Sequence, residues 1–306
     1  MKIDMRGISK TFGTNKVLEK IDLVLTSREV HALMGENGAG KSTLMNILTG
    51  LFPASSGSIL IDGKEMTFAN PQEAEAFGIS FIHQEMNTWP DMTVLENLFL
   101  GRELKKAFGL LDDKAMRDKA KAAFKRLGVS IPLDKRIGDL SVGQQQMIEI
   151  AKSLLSEVSL LIMDEPTAAL TDRETENLFK IIRSLKAEGV GIVYISHRME
   201  EIFKITDVVT VMRDGIVVDT KATQTTNPEE LVKKMVGRDI EDYYPEKTAT
   251  LGAVALEVKN LSSQAFEGVS FQVRQGEILG FSGLMGSGRT EIMRAIFGLD
   301  SKQSGQ

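Results

Sequence analysis

Cysteine is missing altogether from the 306 residues, which excludes disulfides and thiolate metal sites. Histidine occurs three times, at His31, His83 and His197, too far apart in sequence to suggest a shared metal. No apolar run approaches the roughly 18 residues that a membrane span requires. The N-terminal segment MKIDMRGISKTF lacks an apolar signal core, so the chain is expected to stay in the cytosol. An excess of basic charge is lacking too. The formal net charge is −5, which speaks against a dedicated nucleic-acid binder. What remains is ordinary globular material, 42% hydrophobic and 26% charged, over a length that suits about two domains.

The chain repeats itself. Shifted by 248 positions, residues 29–57 lie over 277–305 without a gap, and nine of the 29 pairs are identical. Among them are Gly35/Gly283, Gly38/Gly286, Gly40/Gly288 and Gly50/Gly298. Register is kept through a Gly-rich loop, the helical pattern after it and a Gly-Leu ending, which two chance loops would not share. The segments ahead also match, IDLVL at 21–25 against VSFQV at 269–273, both apolar at alternate positions.

Between the copies, strands and helices alternate. The apolar runs VHALM (30–34), ISFIH (79–83), SLLIM (159–163) and GIVYIS (191–196) read as buried strands. Helical patterns cover 41–50, 112–127, 142–156 and 172–188, with Gly128 and Gly189 as C-terminal stops. This alternation predicts an α/β fold with a mostly parallel sheet. An antiparallel part is expected at VVTVMRDGIVVDT, where Asp214-Gly215 signals a hairpin. A short helix over 228–236 closes at Gly237, and the polar stretch after it reads as a linker. The lysines and arginines of 114–126 read as a solvated helical face. His31 and His83 fall in apolar strands and read as structural.

GENGAGKST at 35–43 fits G-x-x-x-x-G-K-[ST], directly after a strand and opening a helix. Gly35, Gly38 and Gly40 allow a backbone nest, completed by Glu36, Asn37 and Ala39, whose N–H groups face phosphate oxygens at a helix N-terminus. Lys41 is placed to neutralise the β- and γ-phosphates, Ser42 to ligate Mg²⁺, and Thr43 to reach the α-phosphate. The pattern implies a nucleotide-phosphate site that holds Mg²⁺. SLLIMDEP ends an apolar strand with two carboxylates. Asp164 sits where an acid helps to hold Mg²⁺, and Glu165 where a general base polarises water. Strand C-terminal ends are where open α/β sheets gather their ligands.

LSVGQQQMIEIAKSLL at 140–155 names the class. It resembles the signature loop and helix of ABC-type ATPases, usually written LSGGQ, with Val142 in place of the second glycine. Ser141, Gly143 and Gln144 would open a helix that offers donors to the γ-phosphate held by another domain. By the same resemblance, Gln84 matches the Q-loop glutamine that senses Mg²⁺ and γ-phosphate, and His197 the switch histidine. AALT at 168–171 stands where the D-loop usually reads SALD, with Thr171 in place of aspartate. Phe12 is a candidate for stacking on adenine, with core packing the other reading.

The resemblance implies a P-loop NTPase of ABC type, with ATP as its nucleotide. It predicts a first ATPase domain over 1–240 with a helical subdomain at about 86–155, a linker over 241–253, and the start of a second such domain over 254–306. GLMGSGRTE looks like a degenerate second phosphate loop in which Gly283, Gly288, Arg289 and Thr290 stand for the glycine, glycine, lysine and serine of the first. Arginine there is a feature of the fused ATPase subunits of bacterial monosaccharide importers, the ribose type being closest. Such a subunit works at the cytoplasmic face of the inner membrane. It has permease subunits as partners, a periplasmic sugar-binding protein acting indirectly, and either a second ABC domain or a head-to-tail second copy closing on ATP. A complete second domain would need about 200 further residues to repeat the first. Alone, residues 1 to about 240 are expected to fold, with the part after about 250 loosely packed, swapped or disordered. Two other readings carry weight: a soluble tandem ABC ATPase acting on ribosomes, and a non-hydrolysing regulatory nucleotide binder. The first normally keeps lysine in both loops, and Glu165 with His197 speaks against the second.

Overall fold

Residues 1–84, 88–237, 250–283 and 286–306 are described in the computed structural model. The first unit, Met1–Asp239, opens with a long hairpin, β1 (Lys2–Phe12) and β2 (Asn15–Thr26), then β3 (Val30–Met34) and α1 (Lys41–Leu48). Next come β4 (Ser56–Ile61), β5 (Lys64–Glu65), α2 (Pro71–Ala76) and β6 (Ile79–Ile82). A helical stretch follows, α3 (Val94–Phe99), α4 (Asp113–Leu127) and α5 (Val142–Ser153). The chain returns through β7 (Leu160–Asp164), α6 (Asp172–Ala187), β8 (Gly191–Ile195), α7 (Met199–Ile205), β9 (Val208–Arg213) and β10 (Ile216–Ala222), ending in α8 (Pro228–Val236).

Six strands form one sheet in the order β10-β9-β3-β8-β7-β6, parallel except for the edge hairpin β9–β10. Its turn carries Asp214 and Gly215 at φ 50° and 78°, the left-handed pair that a tight hairpin needs. The central strands are apolar throughout because both faces are covered. On one face, Val30, Ala32 and Met34 of β3 join Leu161, Met163, Ile192 and Tyr194 in a core filled by α3, α4, α5 and α6. On the other face, Leu33, Ile162, Val193 and Ile195 pack with Leu44, Met45 and Leu48 of α1. That second core also takes in Ile3, Met5, Ile21 and Leu25 from an antiparallel sheet ordered β2-β1-β4-β5. The basic face of α4 is exposed at many of its charges, and Arg117 pairs there with Asp113 and Asp134.

The second unit, Ile240–Gln306, holds an antiparallel hairpin, β11 (Val254–Leu261) and β12 (Val269–Arg274), and α9 (Arg289–Phe297). It repeats the first unit's opening in detail. Gly288 caps α9 at φ 83° as Gly40 caps α1 at φ 96°. The Ser262–Ser304 bridge mirrors the pairing of Ser9 with Ser56. Its core is small: Val258, Leu261 and Ala295, with Phe266, Phe271 and Ile296 against them. Residues 278–282, which the repeat lays over β3, form no strand, and Ile278 is 98% exposed. A parallel strand exists only through neighbours, and none of the described residues lies alongside this one in a sheet. Residues 238–249, most of the expected linker, and residues 284–285 of the second loop lie outside the described residues.

Candidate functional site

The C-terminal ends of β3, β6, β7 and β8 converge on one cavity of about 510 Å³. The loop after β3 forms its floor, and α1 begins where that loop ends. Two glycines show why this motif needs them. At Gly35 a Cβ would stand 2.3 Å from the Met212 carbonyl oxygen of β9, and at Gly40 2.5 Å from a Leu18 methyl. Gly40 also holds a left-handed φ of 96°. Tertiary neighbours thus leave no room for a side chain at either position. Asn37, Gly38, Gly40, Lys41, Ser42 and Thr43 all line the cavity. Ala39 is buried beneath it, and its N–H donates to the carbonyl of the exposed Glu36 at 3.1 Å.

Lys41 is buried, and its Nζ donates to the carbonyls of Gly35 at 2.9 Å and Glu36 at 3.0 Å. Burial pushes its pKa down, while the charges of Asp164 and Glu165 pull it back up. Asp164, at the end of β7, is buried too, and burial pushes its carboxyl up against the opposing effects of Ser42 and Lys41. Ser42 Oγ donates to Asp164 Oδ2 at 2.8 Å, so serine and carboxylate already form one oxygen pair. The linkage signs follow. Asp164 contributes stability that is full below its unfolded pKa and lost as pH rises through the raised folded value. Lys41 contributes stability that is full above its unfolded pKa and lost as pH falls through the lowered one. Burial thus disfavours the charged form of each side chain, and a ligand carrying the complementary charges would offset that cost.

Glu165 leaves β7 with φ 46°, a left-handed conformation that a non-glycine residue adopts only under constraint. Its N–H donates to Ile195 O at 2.9 Å, which ties it to the end of β8. Just past that end, His197 Nδ1 lies 2.8 Å from Glu165 Oε1, with the imidazole largely exposed to the cavity. Gln84, after β6, lines the same wall, and residues 85–87 beyond it lie outside the described residues. His83 corrects its sequence reading. It stands beyond the end of β6, exposed as a residue, with its ring 4.1 Å from that of Phe81, and partial burial pushes its pKa down against the charge of Asp164. His31 does sit inside β3, held between Thr210 Oγ1 at 2.7 Å and Glu29 Oε1 at 3.1 Å.

Ser141, Gly143 and Gln144 are elsewhere. They open α5, where Ser141 Oγ accepts the Gln144 N–H at 3.2 Å and the Gln144 side chain accepts the Ser141 N–H at 3.1 Å. Gly143 lies close against α6: a Cβ there would stand 2.0 Å from Glu174 Oε1, so the Glu174 side chain would have to move aside. Thr171 caps α6 through the same Glu174, accepting its N–H at 3.4 Å. Phe12, at the end of β1, is 45% exposed and meets Phe52 edge-on at 5.3 Å, with Lys10 Nζ 4.9 Å from its ring centre. Phe12 and the α5 N-terminus do not line the cavity. In the second unit, Arg289 is exposed where Lys41 is buried, and Thr290 beside it is exposed as well. Gly283 is also exposed, and a Cβ there would stand 2.6 Å from Ser287 Oγ.

A glycine-rich loop feeding a helix, a serine–aspartate pair beneath it and a glutamate–histidine pair at the next strand ends define an ATP-binding cassette of the ABC type. Residues 18–168 match the family described as ABC transporter. The structure is similar to that of a nucleotide-free ATP-binding cassette from an ABC transporter, with TM-score 0.68 and 28% identity, covering 80% of this chain and 100% of that one. The chain carries an ABC-type ATPase domain. Over all 306 residues it is 78% identical to the ribose import ATP-binding protein RbsA of Streptococcus agalactiae serotype Ia. It is 72% identical over 305 residues to the protein of that name from Lactococcus lactis subsp. cremoris. The chain spans 62% of the length of each of these relatives.

Proposed function

We propose that this chain belongs to the ATP-hydrolysing subunit of a monosaccharide importer, with ribose as the sugar. The observation that carries the hydrolytic part is the meeting of the phosphate loop, the Ser42–Asp164 pair and the Glu165–His197 pair in one cavity. The likeness to proteins named for ribose import supports the transport part. Loop N–H groups and the α1 N-terminus would hold the phosphates, and Lys41 would exchange its two carbonyl partners for phosphate oxygens. Glu165 would accept the proton of the attacking water, and His197, already in contact with it, would orient that carboxylate and reach the γ-phosphate. Phe12 would flank the base.

Mg²⁺ fits the donor set. Ser42, Asp164 and Gln84 offer a few oxygen ligands, and among the described residues no group of three or more His, Cys, Asp or Glu could hold a metal alone. That suits an ion which keeps waters and phosphate oxygens in its shell, and its chemistry there is to neutralise phosphate charge. No helix among the described residues is long and apolar enough to cross a membrane. The sugar path would therefore belong to permease subunits, fed by a periplasmic sugar-binding protein, with this subunit peripheral on the cytoplasmic face and nucleic acid no part of its work. The helical region between Gln84 and α5 would carry closure to the permease.

Reconstitution tests the transport reading. With the permease and binding protein supplied in vesicles, ATP hydrolysis by the subunit should rise when ribose is added. Stimulation by a different sugar class alone, or by none, would overturn it. The signature has its own test. Because this chain's α5 N-terminus lies outside the phosphate cavity, signature donors for that cavity would come from another cassette. The specific ATPase activity of this chain should therefore climb steeply with protein concentration. A concentration-independent rate from a demonstrated monomer would remove the composite site.

A further inference from the structure

Glu201 lies in the first turn of α7, 5% exposed, and does not line the cavity. An unpaired carboxylate so deeply buried would be costly, yet this one is surrounded by donors. Tyr194 O–H donates to Oε2 at 2.7 Å and Ser196 O–H to the same oxygen at 3.0 Å. The Thr167 hydroxyl, 2.8 and 2.9 Å from the two oxygens, shares its proton between them. Arg198 donates to Oε1 at 3.2 Å. Ser196 Oγ in turn accepts the Arg198 backbone N–H at 3.1 Å.

The positions of these donors matter more than their number. Thr167 follows Glu165 by two residues, and Ser196 and Arg198 flank His197 on either side. One carboxylate therefore fastens both backbone segments whose side chains meet in the 2.8 Å Glu165–His197 contact. We infer that Glu201 is a positioning residue, acting through the Thr167 and Ser196–Arg198 segments to set the distance and angle between Glu165 and His197. Its kinetic consequence rests on the hydrolytic reading above, whereas its structural consequence does not.

Only an acceptor-only group satisfies all four donors at once. A carboxamide turns one oxygen into a donor that faces hydroxyl protons, so Glu201→Gln keeps the volume and loosens the fastening. Two readouts decide the inference. The chain has three histidines, so their imidazole resonances can be assigned by single substitutions. At one fixed pH, Glu201→Gln should shift the His197 resonance and leave those of His31 and His83 in place. In steady-state hydrolysis, kcat should fall by up to about 10²-fold, the scale expected of a small misplacement, with KM for ATP little changed. In a His197→Ala background the same substitution should cost almost nothing further, because its effect passes through that contact. Thr167→Val and Tyr194→Phe, each removing one hydroxyl, repeat the test if Glu201→Gln does not fold. An unmoved His197 resonance overturns the inference, as does a full additional loss in the His197→Ala background. If the unchanged chain does not hydrolyse ATP, the proposed function fails, and the resonance shift still decides the role of Glu201.

Discussion

Glu165→Gln should bind Mg-ATP as tightly as the unchanged chain and hydrolyse it about 10²- to 10⁴-fold more slowly, the range that a general base contributes. Glutamine keeps the length and shape of the side chain, and its amide oxygen can still meet His197 Nδ1. It cannot take a proton from water. The backbone should tolerate the exchange, since the left-handed φ of 46° is held by the link from Glu165 N–H to Ile195 O and not by the carboxylate. Paired equilibrium binding and single-turnover measurements check this, because they separate affinity from chemistry. Turnover at the unchanged rate would remove Glu165 as the base. Weakened binding together with slow turnover would mean that it serves the nucleotide or its cation instead.

Lys41→Ala should fail earlier, at binding. Lys41 is the only cation in the loop sequence and lines the cavity where phosphate is proposed to sit, and hydrogen bonds to charged groups are worth about 1.5–3 kcal/mol each. Losing one such bond weakens affinity about 10- to 150-fold. Alanine also leaves the Gly35 and Glu36 carbonyls without their donor, so loop geometry suffers as well. Titration of the chain with Mg-ATP by calorimetry measures the loss directly. If affinity stayed within twofold, the phosphate position would have to lie elsewhere, and the cavity assignment would fall with it.

Most of the parallel sheet was legible because a strand buried on both faces leaves an unbroken apolar run. VHALM, ISFIH, SLLIM and GIVYIS read as such runs, and each became a strand within a residue or so of its expected ends. The phosphate loop was legible because glycine spacing, lysine and serine are local properties. The short helices α2, α3 and α7, of six or seven residues, escaped notice because two turns give too little periodicity to register. The β1–β2 hairpin is interrupted by register shifts near Ile8 and Lys10, which break the alternation that would have announced it. Glu201 left no trace either. Its partners Thr167, Tyr194 and Ser196 are ordinary hydroxyl residues on two other segments, and only the packing of β7 beside β8 brings them to one carboxylate. Glu174 was hidden in the same way, although its carboxylate lies directly against Gly143 of the signature.

The place of β3 sets a timetable for synthesis. Its partners in the sheet are β8 and β9, and the Val30 N–H donates to Asp207, 177 positions later. Gly35 owes its shape to Met212, later still. At ribosomal rates of about 5–20 residues per second, that separation means roughly ten to forty seconds during which the phosphate loop exists as sequence but not as a site. Until β8 has emerged, an apolar segment such as VHALM has no sheet neighbour to pair with, the condition in which nascent chains are most exposed to aggregation. Nucleotide should therefore be unable to assist the early folding of this domain. It can stabilise only what the last strands of the sheet have already closed.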